Sequence, residues 1–268
     1  MDNRPIGVFD SGLGGLTCVK EIMNIMPSES VIYFGDTGRV PYGSKGADTI
    51  AKYARQDIRF LQSFDIKMII IACGTASSAV LPWMADELST GITGVVEPAV
   101  DAAVRATKNN RIGVLGTAGT VRSGKYPEYI KQRNSKIEVF PKACPMFVPL
   151  VENGYTDSEA TRLIAAEYLE DMKAAEVDTL ILGCTHYPLL KPVIREIMGE
   201  GVTLIDSGAA AADYAYELMK KQNMLAGRER GEYRYFVSDT TDDFARLGGV
   251  FLNRPISEEV KQIDIEKY

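Results

Sequence analysis

Residues 69–78 read IIIACGTASS, and the fold turns on how this stretch is read. Three isoleucines and an alanine, preceded by Met68, make an unbroken aliphatic run. Such a run suits a strand covered on both faces, because a strand with one wet face alternates apolar and polar residues. The run stops at Cys73, and Gly74, Thr75, Ala76, Ser77 and Ser78 follow in a composition that opens a helix. A strand passing straight into a helix is half of a βα unit. In open parallel sheets, ligands collect beyond the carboxyl ends of the strands, and Cys73 stands at such an end.

The same alternation continues outward along the chain. Strands are predicted at Ile6–Phe9, Val31–Phe34, Met68–Ala72, Thr93–Val96, Ile112–Leu115, Ile137–Phe140, Thr179–Leu182, Val202–Ile205 and Tyr233–Val237. Amphipathic helices are predicted between most of them. Leu16–Met26 stops before Pro27, Asp48–Gln62 starts on an Asp48 cap, and Asp157–Ala175 carries apolar or small residues at 160, 163, 164, 167 and 168. Alternation of this kind predicts an α/β fold with mostly parallel sheets flanked by helices.

An internal echo divides the chain. IGVFDSGLGGLT begins at Ile6 and IGVLGTAGTVRS at Ile112, an offset of 112 − 6 = 106. IIIACGTASS is echoed by LILGCTHYPL from Leu180, with Cys73 and Cys184 separated by 184 − 73 = 111. First strand and cysteine strand recur in one order at nearly one offset. This predicts two similar α/β lobes, related by a pseudo-twofold, with the site between them. The expected division is residues 1–97 plus 208–268 for the lobe of Cys73, and 98–207 for the lobe of Cys184.

Composition narrows the partners. The chain has 268 residues, 46% hydrophobic and 25% charged, as an ordinary globular protein has. A formal net charge of −6 argues against nucleic acid and anionic membranes, which call for a basic footprint. A small anionic substrate stays open, since backbone N–H groups can hold a carboxylate. MDNRPIGVFD lacks the pattern of a secretory leader, and no apolar run approaches the roughly 18 residues of a membrane helix. The four cysteines form no CxxC pair, which fits a reducing cytoplasm. With His186 as the one histidine, a structural zinc site is not expected.

Two thiols at facing strand ends admit several chemistries. One could be a nucleophile, or the two a redox pair. Held apart across a small substrate, they suit proton removal from one face of a carbon and delivery to the other. Cys18, inside a helix, and Cys144, beside Pro145, read as packing residues. Asp10 ends the first strand and either caps the Gly-rich turn or serves the chemistry. Glu152, in PLVENG, reads first as a solvated helix residue, and His186 lies two residues past Cys184. DSGLGG (10–15) matches a dinucleotide loop weakly, because Thr17 stands where a third glycine would fall, and reads as a carboxylate cradle at a helix N-terminus. DTGRVPYGSK (36–45) reads as a functional loop.

The motifs GVFDSGLGGLT, DTGRVPYG, ACGTAS, GVLGTAGTVRS, PLVENG and LGCTHYPLL, in this order over nearly the whole chain, resemble those of the glutamate racemases, in the cofactor-independent aspartate/glutamate racemase superfamily. The C-terminal YFVSDTTDDF is similar as well. The resemblance implies interconversion of L- and D-glutamate for peptidoglycan, no pyridoxal phosphate, no metal, and a homodimer. It implies Cys73 and Cys184 as the acid/base pair, the first serving D-glutamate and the second L-glutamate. Asp10 would assist Cys73, while Glu152 and His186 would assist Cys184. Substrate contacts would come from Asp10, Ser11, Tyr42, Gly43, Gly74, Thr75, Thr117, Thr120, Thr185 and His186. One position departs: the family commonly has asparagine after the first cysteine, and here Gly74 offers only backbone or room for a water. That departure leaves aspartate or another acidic amino acid open as substrate. A non-catalytic phosphate or nucleotide binder using DSGLGG is the alternative of another class.

Overall fold

The computed structural model describes residues 1–84, 87, 88, 90–256 and 260–268. In chain order the elements are β1 (Ile6–Asp10), α1 (Leu16–Ile25), β2 (Val31–Gly35), α2 (Ala47–Gln62), β3 (Met68–Ile71), α3 (Gly74–Met84), β4 (Gly91–Gly94) and α4 (Val96–Ala106). Then come β5 (Arg111–Gly116), α5 (Ala118–Ser123), α6 (Lys125–Arg133), β6 (Glu138–Ala143), α7 (Phe147–Glu152), α8 (Glu159–Ala174), β7 (Thr179–Leu182), α9 (Lys191–Met198) and β8 (Thr203–Asp206). The chain finishes with α10 (Ser207–Lys221), β9 (Tyr233–Val237), α11 (Thr241–Leu252) and β10 (Val260–Gln262).

The strands form two wholly parallel sheets, ordered β10-β9-β2-β1-β3-β4 and β6-β5-β7-β8. The sequence echo is therefore topological: β2-β1-β3-β4 of the first sheet has the same order as β6-β5-β7-β8 of the second. β1 and β5 start the two echoed segments and occupy equivalent places. Cys73 follows β3 and Cys184 follows β7, again equivalent. The aliphatic runs are buried along their length in β1, β2, β3 and β7, as double coverage requires.

α1 and α10 pack against each other between the sheets. One hydrophobic cluster passes from Ile6, Val8 and Ile70 of the first sheet, through Leu16, Val19, Ala211 and Ala215 of these helices, to Leu180 and Leu182 of the second. Cys18 lies fully buried there, with its backbone 3.2 Å from where a side chain on Gly208 would begin, so it is a packing residue as expected. Among the described residues no helix is long and apolar enough to cross a membrane.

Several boundaries differ from the sequence reading. The strand expected at Thr93–Val96 is Gly91–Gly94, because Val96 already begins α4. The one expected at Ile137–Phe140 runs on to Ala143 through Pro141, which an edge strand tolerates because one row of its N–H groups has no partner strand. Val260–Gln262 escaped notice because three residues, two of them charged or polar, carry no period. Asp48 is not the cap of α2: Gly46 occupies that position, and Asp48 sits in the first turn, where its charge suits the helix dipole. Ser158 caps α8, accepting from the Thr161 N–H at 3.2 Å.

A buried ion pair closes the side of the first sheet away from the strand ends just described. Lys67, before β3, forms an ion pair with Glu29 at 2.5 Å and donates to the carbonyls of Asp2 and Met224 at 2.8 Å. Removing one partner leaves an uncompensated buried charge. Glu29→Ala is expected to cost about 3–5 kcal/mol, read from the urea midpoint. A loss below about 1 kcal/mol, the range of exposed pairs, would show the pair to be solvated.

Candidate active site

Both echoed thiols line one cavity of about 470 Å³. Each follows by two residues a strand in the equivalent place of its sheet, β3 or β7, and both are buried. Besides Gly74, eight other residues expected at the site also line it: Ser11, Tyr42, Gly43 and Thr75 from the first echoed half and its loop, Thr117, Glu152, Thr185 and His186 from the second. Asp10 and Thr120 do not, and stand directly behind the lining.

Asp10 combines the two roles left open for it. Its Oδ2 accepts from the Gly12 N–H at 2.9 Å, capping the turn, while Oδ1 is buried without a partner. Burial raises the pKa of this carboxyl, against the opposing pull of His186 and of nearby backbone N–H groups. Cys73 Sγ donates to Ser11 Oγ at 3.5 Å and accepts from the Ala76 N–H, in the first turn of α3, at 3.4 Å. Burial and then the Asp10 charge push the Cys73 thiol up to about 12, despite those hydrogen bonds. A thiolate formed here is a strong base.

Cys184 has a different neighbour. Its Sγ lies 3.9 Å from His186 Nδ1, and His186 Nε2 lies 3.0 Å from Glu152 Oε1. Burial alone would drive the imidazolium to lose its proton, but Cys184 and Glu152 outweigh it and raise His186 to about 10. The ring therefore carries a proton at neutral pH within reach of the sulfur. Glu152, read first as a solvated residue, ends α7 half-exposed but fixed on His186.

The glycines of DSGLGG do more than form a turn. A side chain on Gly14 would start 2.1 Å from Thr185 Oγ1 and 2.5 Å from His186 Nδ1. Thr17 Oγ1 crosses to the Thr185 carbonyl at 3.0 Å, so the N-terminus of α1 is docked on the Cys184 strand end. Gly74 meets a similar constraint. A Cβ there would lie 2.4 Å from the Gly183 carbonyl oxygen, so backbone fills the space expected to admit a water. Across the same seam the hydroxyls of Thr75, Thr117 and Thr120 form a triangle with sides of 2.9, 3.1 and 3.4 Å. Three hydroxyls satisfying one another can turn to donate to a carboxylate.

Arg39, Asp57 and Arg122 support or line the cavity beyond the residues expected from sequence. Arg39 bonds Asp36 at 2.7 Å and Asp57 at 3.0 Å, and the Tyr42 hydroxyl lies 2.5 Å from Asp36 and 3.0 Å from Asp57. Both carboxylates are fully buried, and burial, with the charge of Asp36, pushes Asp57 upward. This cluster fixes the loop that presents Tyr42 and Gly43. Asp57 had a readable signal, because it falls on the same face of α2 as Ile50, Ala54 and Leu61. Arg122, exposed at the mouth, is the third. Cys144, expected to be a packing residue, is buried but forms part of the cavity wall. Among the described residues no group of three or more His, Cys, Asp or Glu side chains is arranged to hold a metal ion.

Two α/β halves closing on a pair of cysteines are the build of an amino-acid racemase. Residues 16–215 match the family described as Asp/Glu/Hydantoin racemase. A glutamate racemase of Geobacter metallireducens is 46% identical over 264 residues, covering 98% of this chain and 97% of its own. The glutamate racemase isoform RacE1 from Bacillus anthracis superposes with a TM-score of 0.95 at 34% identity over 98% of each chain. The glutamate racemase of Francisella tularensis, solved in complex with D-glutamate, gives 0.93 at 37% identity over all of both chains. The chain belongs to the Asp/Glu/hydantoin racemase family, on its glutamate racemase branch.

The raised Cys73 thiol has a direct chemical consequence. Thiolate is the form that alkylates, and an ordinary thiol, with a pKa of about 8.5, levels off above pH 9. Alkylation of Cys73 by iodoacetamide, followed by peptide mass spectrometry, is expected to rise roughly tenfold per pH unit through pH 10. A plateau near pH 8–9 would show the Asp10 charge and burial to be ineffective.

Proposed function

We propose that this chain interconverts L- and D-glutamate by a two-base mechanism and supplies D-glutamate for peptidoglycan. The observation that carries this reading is the pair of thiols on equivalent strand ends of two similarly ordered sheets, lining one cavity. Each thiol approaches the substrate from its own half, so one removes the α-proton while the other protonates the opposite face. The base must be the thiolate and the acid the thiol, and the two exchange roles with direction. Neither pyridoxal phosphate nor a metal has a part in this proton transfer.

In this reading Cys73 serves D-glutamate, with Asp10 behind it, and Cys184 serves L-glutamate, with Glu152 and His186. The contrast in surroundings supports the division of helpers between the two thiols. Cys73 sits against a buried carboxyl and Cys184 against a protonated imidazole. The hydroxyls of Ser11, Thr75, Thr117, Thr120 and Thr185 and the backbone at Tyr42, Gly43 and Gly74 would hold the two carboxylates and the ammonium group. The lobes of this mechanism are residues 1–97 plus 208–268 and residues 98–207. A cytoplasmic setting and a homodimer accompany the reading, and light scattering of the purified chain checks the latter.

Incubation with L-glutamate in deuterated water, with no added cofactor, is expected to bring deuterium to the α-carbon as optical rotation is lost. Cys73→Ala and Cys184→Ala should each abolish racemisation, while Cys18→Ala retains it. Full turnover in Cys184→Ala would end the two-base reading. Faster turnover of L-aspartate than of L-glutamate would move the assignment to the other acidic amino acid.

Gly74 gives a separate test. A methyl group there must push the Gly183 backbone, and Cys184 with it, away from Cys73. Gly74→Ala is expected to lower kcat/KM roughly ten- to a hundredfold, the scale set by displacing reacting groups by about 1 Å, with an unchanged far-ultraviolet circular dichroism spectrum. Undiminished kcat/KM would mean that the seam yields without altering the thiol spacing.

A further inference from the structure

The cavity has an electrostatic difficulty that the thiols do not solve. If glutamate is the substrate, a molecule with net charge −1 must enter a protein with formal net charge −6. The cavity wall carries the carboxylate of Glu152, and Asp10 lies just behind it. The positive charge of His186 is already engaged with Glu152 at 3.0 Å. Among the described residues that line the cavity, Arg122 is the only lysine or arginine.

Arg122 sits in the last turn of α5, directly after the hydroxyl cluster, and is exposed at the mouth. No ion pair of Arg122 occurs among the described residues, whereas Arg39, in the loop that brings Tyr42 and Gly43 to the cavity, is paired with Asp36 and Asp57. Its one polar contact among the described residues is a long hydrogen bond of 3.4 Å, from Nη2 to the carbonyl of Gly43 on the opposite lip. A guanidinium held across a cavity mouth with no anion beside it is free to take one, and it presents a fork that matches a carboxylate.

We infer that Arg122 is a capture residue for the acidic substrate: its charge draws a dicarboxylate to the mouth and pairs with the carboxylate that enters last. This rests on the reading of the chain as a racemase of an acidic amino acid, and adds how that substrate is selected and admitted. The attraction acts on encounter and on binding, not on proton transfer, so its loss falls on KM and on kcat/KM. Because the site is exposed, the attraction is screened by salt: the Debye length is about 30 Å at 0.01 M and about 3 Å at 1 M.

The test compares wild type, Arg122→Gln and Arg122→Lys in glutamate racemisation at about 10 mM and at high salt. Arg122→Gln keeps a donor for the Gly43 carbonyl but lacks the charge, and Arg122→Lys keeps the charge. At low salt, kcat/KM of Arg122→Gln is expected to fall roughly tenfold, the lower end of steering effects. The gap should close to less than about twofold near 1 M salt, where the charge is screened, and Arg122→Lys should recover most of the loss. Equal kcat/KM at low salt overturns the inference, as does a gap that salt does not narrow. An Arg122→Lys variant as impaired as Arg122→Gln would make the side chain a strut between the lips and would also overturn it. Calorimetric titration of glutamate into wild type and Arg122→Gln at both salts reads the same effect without turnover. Failure of wild type to racemise glutamate therefore counts against the proposed function, whereas salt-insensitive, equal affinities count against Arg122.

Discussion

The contact on which the site depends is between backbones. Gly74 and Gly183 abut so closely that a single methyl group would not fit, and each is the immediate neighbour of one thiol, Cys73 or Cys184. Where two rigid strand ends meet through glycine, their separation is set by van der Waals radii and not by flexible side chains. Gly14 against Thr185 and His186, and Gly43 against Thr117, repeat the device around the seam. A two-base reaction needs this kind of fixed spacing. The sulfurs cannot touch, yet each must stay within reach of one carbon.

Around that geometric frame the electrostatics differ from one side to the other. Both thiols end equivalent strands of similarly ordered sheets, but only Cys73 has a buried carboxyl behind it, and only Cys184 has the imidazole–carboxylate couple. The symmetry belongs to the strands, while the asymmetry comes from the connections: Asp10 from β1, Glu152 from the end of α7, His186 from the turn after β7. Duplicated architecture thus supplies two positions, and unlike loops give the two thiols different electrostatic surroundings. The Arg39 cluster is a further layer, with two buried carboxylates and a guanidinium holding the loop that brings Tyr42 and Gly43 to the cavity.

Much of this was legible in the residues. Aliphatic runs ending in glycine and hydroxyl residues gave away the strands, and the two offsets near 106 and 111 gave away the duplication, because buried parallel strands tolerate few residue types. Short or edge elements were harder. β10 has no period, and β4 was shifted because Thr93–Val96 is as β-prone as Gly91–Gly94, and only the start of α4 decides between them. Arg39 and Asp57 lie 18 positions apart and form a pair only when the loop folds back on α2. Arg122 is ordinary in sequence, and its isolation from acidic partners is a property of the assembled surface.

By itself the sequence determined the α/β class, the paired halves and the two strand-end cysteines, since these follow from local composition, period and repeat. Only the tertiary structure decided that the two thiols share one cavity, that Glu152 rests on His186, and that Gly74 is pressed against Gly183. The physical reason is distance along the chain. These contacts join residues 34 to 111 positions apart, and no local preference encodes how two sheets come to rest against each other.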